Sequence, residues 1–314
     1  MKNGANGKDS AHVMNHLNEK RMITVDPGET ILSASLKAEI DHTHVGGGNA
    51  LCSSCRVVIE EGVENVIPRN DKETAVAEKL GFTPELRLAC QTTLLGDISI
   101  SKPELDAVDI AIASLTIAER GENKIGEEKK LTILFADIEE YTSFTESVQA
   151  FDLVHVLNRY YYLMGKIIRK NNGRIIDYYG DGLLAVFGFV KPETMEFDCV
   201  TTGVEMMEEV ESFNEYLHQF LKHRFKIRIG IHTGNVIVGN IGFKGMRKLA
   251  VIGDAVNFAS RIDNINKELK TNFLVSVDTY KKVANDFSFG NTHSVEVKGK
   301  KGKHTLYELP LGGK

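Results

Sequence analysis

From Leu131 onward the hydrophobic period of this chain switches repeatedly between strand and helix, and that succession limits the fold more than any other feature. The apolar run L-T-I-L-F-A ends at Asp137. A helical pattern follows, with Leu153, Leu157, Tyr160, Met164 and Ile167 three or four apart, and stops at Asn171-Asn172-Gly173. RIIDYYGDGLLAVFG predicts two strands hinged at Gly180-Asp181-Gly182. Val200, Val204, Met207, Val210 and Leu217 mark a second helix. FKIRIGIHTGNVIVGNIG alternates Phe225, Ile227, Ile229 and Ile231 on one face and predicts a strand pair. GDAVNFASRIDNINKEL predicts a helix capped by Asp254. The order βαββαβ, with further strands after it, implies an α+β sandwich of helices over a sheet.

The rest of the chain is organised differently. At about 150 residues per domain, 314 residues suggest two domains. Residues 1–20 are polar and are expected to be disordered. Residues 21–101 alternate short β-rich runs with turns and form a first domain. PELDAVDIAIASLTIAER predicts a helix with Pro103 in its first turn, and GENKIGEEKK completes a helix-and-linker segment over 102–130. The second domain is expected over 131–310. The polar start lacks the apolar core of a secretory signal, and no run approaches the roughly 18 apolar residues of a membrane span. The expectation is a cytoplasmic protein or a soluble fragment. A formal net charge of −5 argues against nucleic-acid binding by bulk electrostatics.

A buried strand ending on a carboxylate calls for a positive partner. Asp137 closes one strand, and Asp181 sits at the tip of the hairpin expected beside it. Two such carboxylates can share a divalent cation such as Mg²⁺ or Mn²⁺, or two, with phosphate oxygens completing the shells. Asn257 and Arg261 stand four apart and so share a helix face. Arginine can stabilise charge on a phosphoryl group, and asparagine can hold a ribose or an oxyanion.

In the first domain, Cys52 and Cys55 form a C-x-x-C pair on a glycine-rich loop, and Cys90 follows 35 positions after Cys55. Thiolates at this spacing suit an iron–sulfur centre, with zinc as the alternative. Cys199 stands alone on a helix and reads as a small buried hydrophobe.

Over about 129–310, LTILFADIEEYTSFTE, DYYGDGLLAVFG, IRIGIHTGNVIVGNIG, VIGDAVNFASR and VKGKKGKHTLYEL resemble the class III adenylate/guanylate cyclase catalytic domain, in family order and spacing. The resemblance implies a two-metal site on Asp137 and Asp181, with Ile138 lending a backbone carbonyl. It implies that Asn257 and Arg261 orient the ribose and stabilise the transition state, and that Lys298 meets the triphosphate. Family sites lie between two domains, so a chain carrying both residue sets implies a homodimer. The substrate would be a purine nucleoside triphosphate, closed to a 3′,5′-cyclic nucleotide with release of pyrophosphate.

The family's base-selecting positions hold Asp177 and Ala250 here, matching neither the usual adenylate nor the usual guanylate pattern. A carboxylate at 177 can accept two hydrogen bonds from guanine and one from adenine. Likeness to soluble microbial members points to ATP instead, so the expectation is an adenylate cyclase, with a guanylate cyclase as the alternative.

Residues 21–101 resemble a [2Fe–2S] ferredoxin domain of β-grasp type, with Cys52, Cys55 and Cys90 at its last three ligand positions. The family's first cysteine would fall at Gly46 or Gly47. His42 and His44 lie just upstream. The set is incomplete, and a redox partner is unspecified. The ferredoxin-like domain is expected to regulate the cyclase. Two further readings are an electron-transfer protein whose cyclase-like domain only dimerises, and a palm-fold enzyme making cyclic dinucleotides, which the Asn–Arg helix and the VKGK tail disfavour.

Overall fold

The computed structural model describes residues 10–44, 46–102, 126–243 and 245–310. The chain divides into two compact units, Met1–Gly126 and Glu127–Lys314. The helix expected at 103–120 and the first half of the linker after it, residues 121–125, lie outside the described residues.

Unit 1 is built on a five-stranded mixed sheet in the order β2-β1-β5-β3-β4. Its strands are β1 (His12–His16), β2 (Arg21–Val25), β3 (Arg56–Glu61), β4 (Leu86–Leu88) and β5 (Ile98–Ser101). Helix α1 (Ile31–Lys37) starts where Thr30 Oγ1 accepts from the Ser33 amide, and α2 (Asp71–Leu80) starts where Asn70 accepts from Glu73. Met14, Val25, Ile31, Leu88 and Ile100 fill the core.

The expected disorder of residues 1–20 is corrected at His12–His16. This segment is an inner strand, antiparallel to β2 and parallel to β5. HVMNH carries little strand signal of its own. The burial of Met14 and His16 between two neighbours decides its structure.

Unit 2 carries an eight-stranded sheet in the order β12-β13-β11-β9-β6-β8-β7, with β10 paired to β9. The strands are β6 (Glu127–Ile138), β7 (Arg174–Tyr179), β8 (Gly182–Phe187), β9 (Ile227–Ile241), β10 (Lys248–Ile252), β11 (Phe273–Ser276), β12 (Thr292–Glu296) and β13 (Lys303–Glu308). The helices are α3 (Tyr141–Ser147), α4 (Ala150–Lys170), α5 (Met195–Leu221), α6 (Asp254–Leu269) and α7 (Val277–Val283). The sheet is covered on both faces. Leu134, Ala136 and Ile138 of β6 pack with α4 and α5, whereas Leu131, Ile133 and Phe135 pack with β10 and α6. Burial on both sides explains why β6 reads as a continuous apolar run. Cys199 is fully buried in α5, as a small hydrophobe would be. Among the described residues, no helix is long and apolar enough to cross a membrane.

Three local expectations are corrected here. Strand β6 begins at Glu127, inside the expected linker, because residues 127–130 pair with the far arm of β9. FKIRIGIHTGNVIVGNIG is one strand, not two, with β10 as its added partner. Gly234 makes no turn there: a Cβ on it would stand 2.7 Å from the Ala255 Cβ, so glycine lets α6 approach the strand. Helix α6 is capped by Gly253 with no side-chain hydrogen bond, because the Asp254 carboxylate is drawn to Lys300 instead.

Candidate functional site

Asp137 is the penultimate residue of β6 and lies directly opposite Arg228 on β9. Arg228 Nη2 donates to Asp137 Oδ2 at 3.2 Å, and Nη1 lies 3.7 Å from Glu139 Oε1. The positive charge that the strand-end carboxylate called for is therefore this guanidinium.

The hairpin of β7 and β8 brings Asp181 to the same place, because β8 is the neighbour of β6 with Leu183 opposite Ala136. Gly180 has φ +66°, as the tight turn demands, and its carbonyl accepts from Tyr161 Oη at 2.6 Å. At Gly182 a Cβ would stand 2.3 Å from the Tyr179 ring, so this glycine seats an aromatic side chain. The Asp181 carboxyl is pushed up to about 7, first by burial and then by its hydrogen bond to Asp137 and that residue's charge, while its own and the Ile138 backbone amides oppose the shift. Two carboxyl groups in contact cannot both carry full charge without a cation.

A third carboxyl group feels their charge. Asp263, on α6, is pushed up to about 7 by burial and by Asp137, with Arg228 acting in the opposite direction. Its Oδ1 and the Arg228 Nε are both buried without a hydrogen-bond partner. The helix comes this close because Gly230 faces it: a Cβ there would stand 2.3 Å from the Asp263 amide nitrogen.

Asn257 and Arg261 lie on the same helix, Asn257 exposed and Arg261 half-buried. The Arg261 guanidinium rests on Gly299, where a Cβ would stand 3.1 Å from Nη2. Arg261 and Lys298 share a cavity of about 670 Å³ with Asn264 and Glu268. Among the described residues, no hydrogen bond or ion pair links Asn257 or Arg261 to Asp137 or Asp181. The structure thus groups Asp137 with Asp181 and Arg261 with Lys298.

Asp177 accepts from Lys248 of β10 at 2.5 Å, and Ala250 lies two residues further along that strand. Arg228, Asp263 and Lys248 were not singled out from the sequence. A charged residue inside the alternation of IRIGI, and an aspartate flanked by Ile262 and Ile265, were the available signals for the first two.

In unit 1, Cys55 and Cys90 are buried and joined by a side-chain hydrogen bond, which pushes the Cys55 thiol up and lowers Cys90 to about 6. Cys52 is half-buried and accepts from the Gly46 amide at 3.1 Å. A Cβ on Gly46 would stand 2.9 Å from Cys52 Sγ. His42 is buried with both ring nitrogens unpartnered, and burial holds its pKa at about 4. Among the described residues, no three of His, Cys, Asp and Glu are grouped to hold a metal ion. Unit 1 has three cysteines, Cys52, Cys55 and Cys90, which by themselves are one short of a four-thiolate cluster. The Asp137–Asp181 pair does fit Mg²⁺ or Mn²⁺, whose shells need few protein carboxylates.

The family model for the adenylate and guanylate cyclase catalytic domain matches residues 124–310, and that for the 2Fe-2S iron-sulfur cluster binding domain matches residues 15–95. An adenylate cyclase of Anabaena cylindrica is 35% identical over 189 residues, which are 58% of this chain and 37% of that protein. The match spans 37% of that adenylate cyclase and as little as 9% of another curated relative, an adenylate cyclase of Dictyostelium discoideum. The crystal structure of the adenylyl cyclase CyaB from P. aeruginosa is 27% identical with a TM-score of 0.55, covering 59% of this chain and 95% of that one. That of the guanylyl cyclase Cya2 is 29% identical with a TM-score of 0.55, covering 59% and 93%.

Proposed function

Because the chain belongs to the adenylate and guanylate cyclase catalytic domain family, we propose that unit 2 converts ATP to 3′,5′-cyclic AMP and pyrophosphate. The observation that carries this reading is the contact between Asp137 and Asp181 at neighbouring strand ends, with a carboxyl pushed up to about 7 by burial and by the other.

In this reading Asp137 and Asp181 hold Mg²⁺ or Mn²⁺, with the Ile138 backbone beside them. The bound ions supply Lewis acidity toward the 3′-hydroxyl and neutralise the triphosphate. Arg261 and Lys298 place two cations on one cavity wall, suited to the phosphates of the nucleotide. Asn257, one turn before Arg261, orients the ribose so that its 3′-oxygen faces the α-phosphorus. Arg228 is a further cation beside the carboxylates, fixed by Asp137 and available to phosphate oxygens when that carboxylate turns to a metal.

Among the described residues, no hydrogen bond or ion pair joins Asp137 or Asp181 to Asn257 or Arg261. The reading includes a homodimer with two equivalent sites, each taking Asp137 and Asp181 from one copy and Asn257 and Arg261 from the other. Unit 1 is proposed as the regulator. Its test is the cyclase rate of Gly46→Cys in oxidised and reduced states, where equal rates would remove the idea.

The first relatives matched are adenylate cyclases, which supports ATP. The Asp177–Lys248 pair favours GTP as a second reading. The carboxylate can accept from guanine N1–H and its 2-amino group while the ammonium donates to O6. Adenine would take one bond from each. Chromatographic product analysis with ATP and with GTP, each with and without Mn²⁺, tests the function. Absence of any cyclic mononucleotide would defeat the cyclase reading, and a tenfold preference for GTP would replace ATP as the substrate.

A further inference from the structure

The loop between β12 and β13, residues 297–302, runs along one face of α6. Asp254, Phe258, Arg261 and Ile265 stand four, three and four apart on that helix, so they share the face. Val297, at the start of the loop, is buried in one cluster with Phe258 and Ile265. Gly299 has φ +73° and lies against the Arg261 guanidinium, where a Cβ would stand 3.1 Å from Nη2. The Lys300 amide donates to the Val297 carbonyl at 2.9 Å and closes a turn. The Lys300 ammonium passes over the Phe258 ring, 5.3 Å from its centroid, and donates to the Asp254 carboxylate.

The first two lysines of this loop are held differently. Lys298 is exposed and, among the described residues, has no hydrogen bond or ion pair. Lys300 leaves 21% of its side chain exposed and is fastened to the first residue of α6. Arg261, Lys298 and Lys300 all border the cavity of about 670 Å³. By charge alone they would be three equal phosphate ligands. The contacts divide them: Arg261 and Lys298 are open to an anion, whereas the Lys300 charge is already met by Asp254. The loop also needs fastening, because Gly299 and Gly302 both take positive φ and glycine loses the most backbone freedom on ordering.

We infer that Lys300 is a positioning residue for phosphate binding: through Asp254 it clamps the glycine-bearing loop onto α6 and so holds Lys298 and Arg261 on one cavity wall. The inference rests on the cyclase reading for the ligand, the phosphates of a nucleoside triphosphate, and adds a residue that serves them without touching them. Two roles for Lys300 give opposite signs. If it were a phosphate ligand, Asp254 would compete for it, and removing that carboxylate would free a cation, delete a negative charge beside an anion and tighten binding. A clamp needs the carboxylate, so its removal loosens the loop and weakens binding.

The probe is inorganic tripolyphosphate, titrated by calorimetry into the full chain at constant ionic strength, with the unfolding midpoint of every variant measured alongside. Asp254→Ala should weaken binding about threefold, as for a partly exposed ion pair. Lys300→Met should weaken it at least as much, and Lys300→Arg should stay close to wild type. The double variant should be no weaker than Lys300→Met, because both changes open the same clamp. Tighter or unchanged binding by Asp254→Ala would overturn the inference, as would additive losses in the double variant or a wild type that does not bind tripolyphosphate. The cyclase reading is judged separately, by formation of cyclic mononucleotide. A wild type that makes product while Asp254→Ala binds undiminished removes the clamp and leaves that reading. A wild type that shows the expected binding pattern but makes no product removes that reading and leaves the clamp.

Discussion

The two units each bring metal-ligating side chains together, yet they differ in what a missing partner costs. In unit 2 two carboxylates meet, and hard divalent ions accept water and phosphate oxygens for the remaining positions. In unit 1 three thiolates are present, and a cluster that needs four has no comparable stand-in from water. A carboxylate site of two residues is complete as a protein site, whereas a thiolate site of three is not. Completeness has to be judged against the coordination chemistry of the metal and not against a count of ligands.

The largest expected effects fall on unit 2. Arg261→Ala should lower cyclase turnover by about 10³–10⁵-fold, the range for an arginine on a transferring phosphoryl group. Asp137→Ala should lower it by about 10³-fold or more. Mixing the two inactive proteins should restore activity to about a quarter of wild type, because half the dimers are mixed and each carries one intact site. Heterodimers that form without activity would show that the residues of one chain serve one site.

Next in size is the coupling of metal to protons. Asp181 sits at about 7 in the folded chain, so below that pH a divalent ion must displace a proton. Mn²⁺ affinity, measured by calorimetry, should fall by about tenfold per pH unit below 7 and level off above it. Without metal the sign reverses for stability. A carboxyl raised by folding favours the folded state at low pH, and that advantage fades as pH rises from the ordinary carboxylate range to about 7. Added Mn²⁺ should oppose the loss.

A smaller effect separates packing from chemistry. Gly230→Ala should destabilise unit 2 by about 3 kcal/mol, because its Cβ would stand 2.3 Å from the Asp263 amide nitrogen. Gly180→Ala, whose Cβ meets nothing within 4 Å, should cost less in denaturant unfolding despite its positive φ.

The smallest effect is in unit 1. His42 titrates at about 4 when folded. The unfolded chain therefore binds the extra proton first, and stability is lost as pH falls from about 6.5 to 4. His42→Leu should flatten that dependence in amide hydrogen exchange of α1 and β3, and an unchanged slope would exclude His42 as its source.

Unit 2 was largely legible in the sequence because its signals are local. A strand ending on Asp137, a glycine-hinged hairpin with Asp181, and an i, i+4 pair of Asn257 and Arg261 each lie within a few residues. What escaped reading depends on long-range contact. HVMNH becomes β1 only between β2 and β5. FKIRIGIHTGNVIVGNIG reads as two strands until Ala255 packs on Gly234. Asp254 reads as a cap until Lys300 reaches it. Asp263 shows its role only when Gly230 brings its helix onto the strand beside Asp137. Cys55 and Cys90 could be named as ligands, but the division of the sulfurs into an inner pair and an outer single required the fold.

The contact at Gly230 leaves main chain against main chain, with no side chain between helix and strand to deform. A tilt of α6 is then a tilt of β9, so in the dimeric reading each chain carries its acidic strand end and its Asn–Arg helix into two different sites as one rigid casting. Opening to admit a nucleotide and release its products would then fall between the two copies and not along that seam.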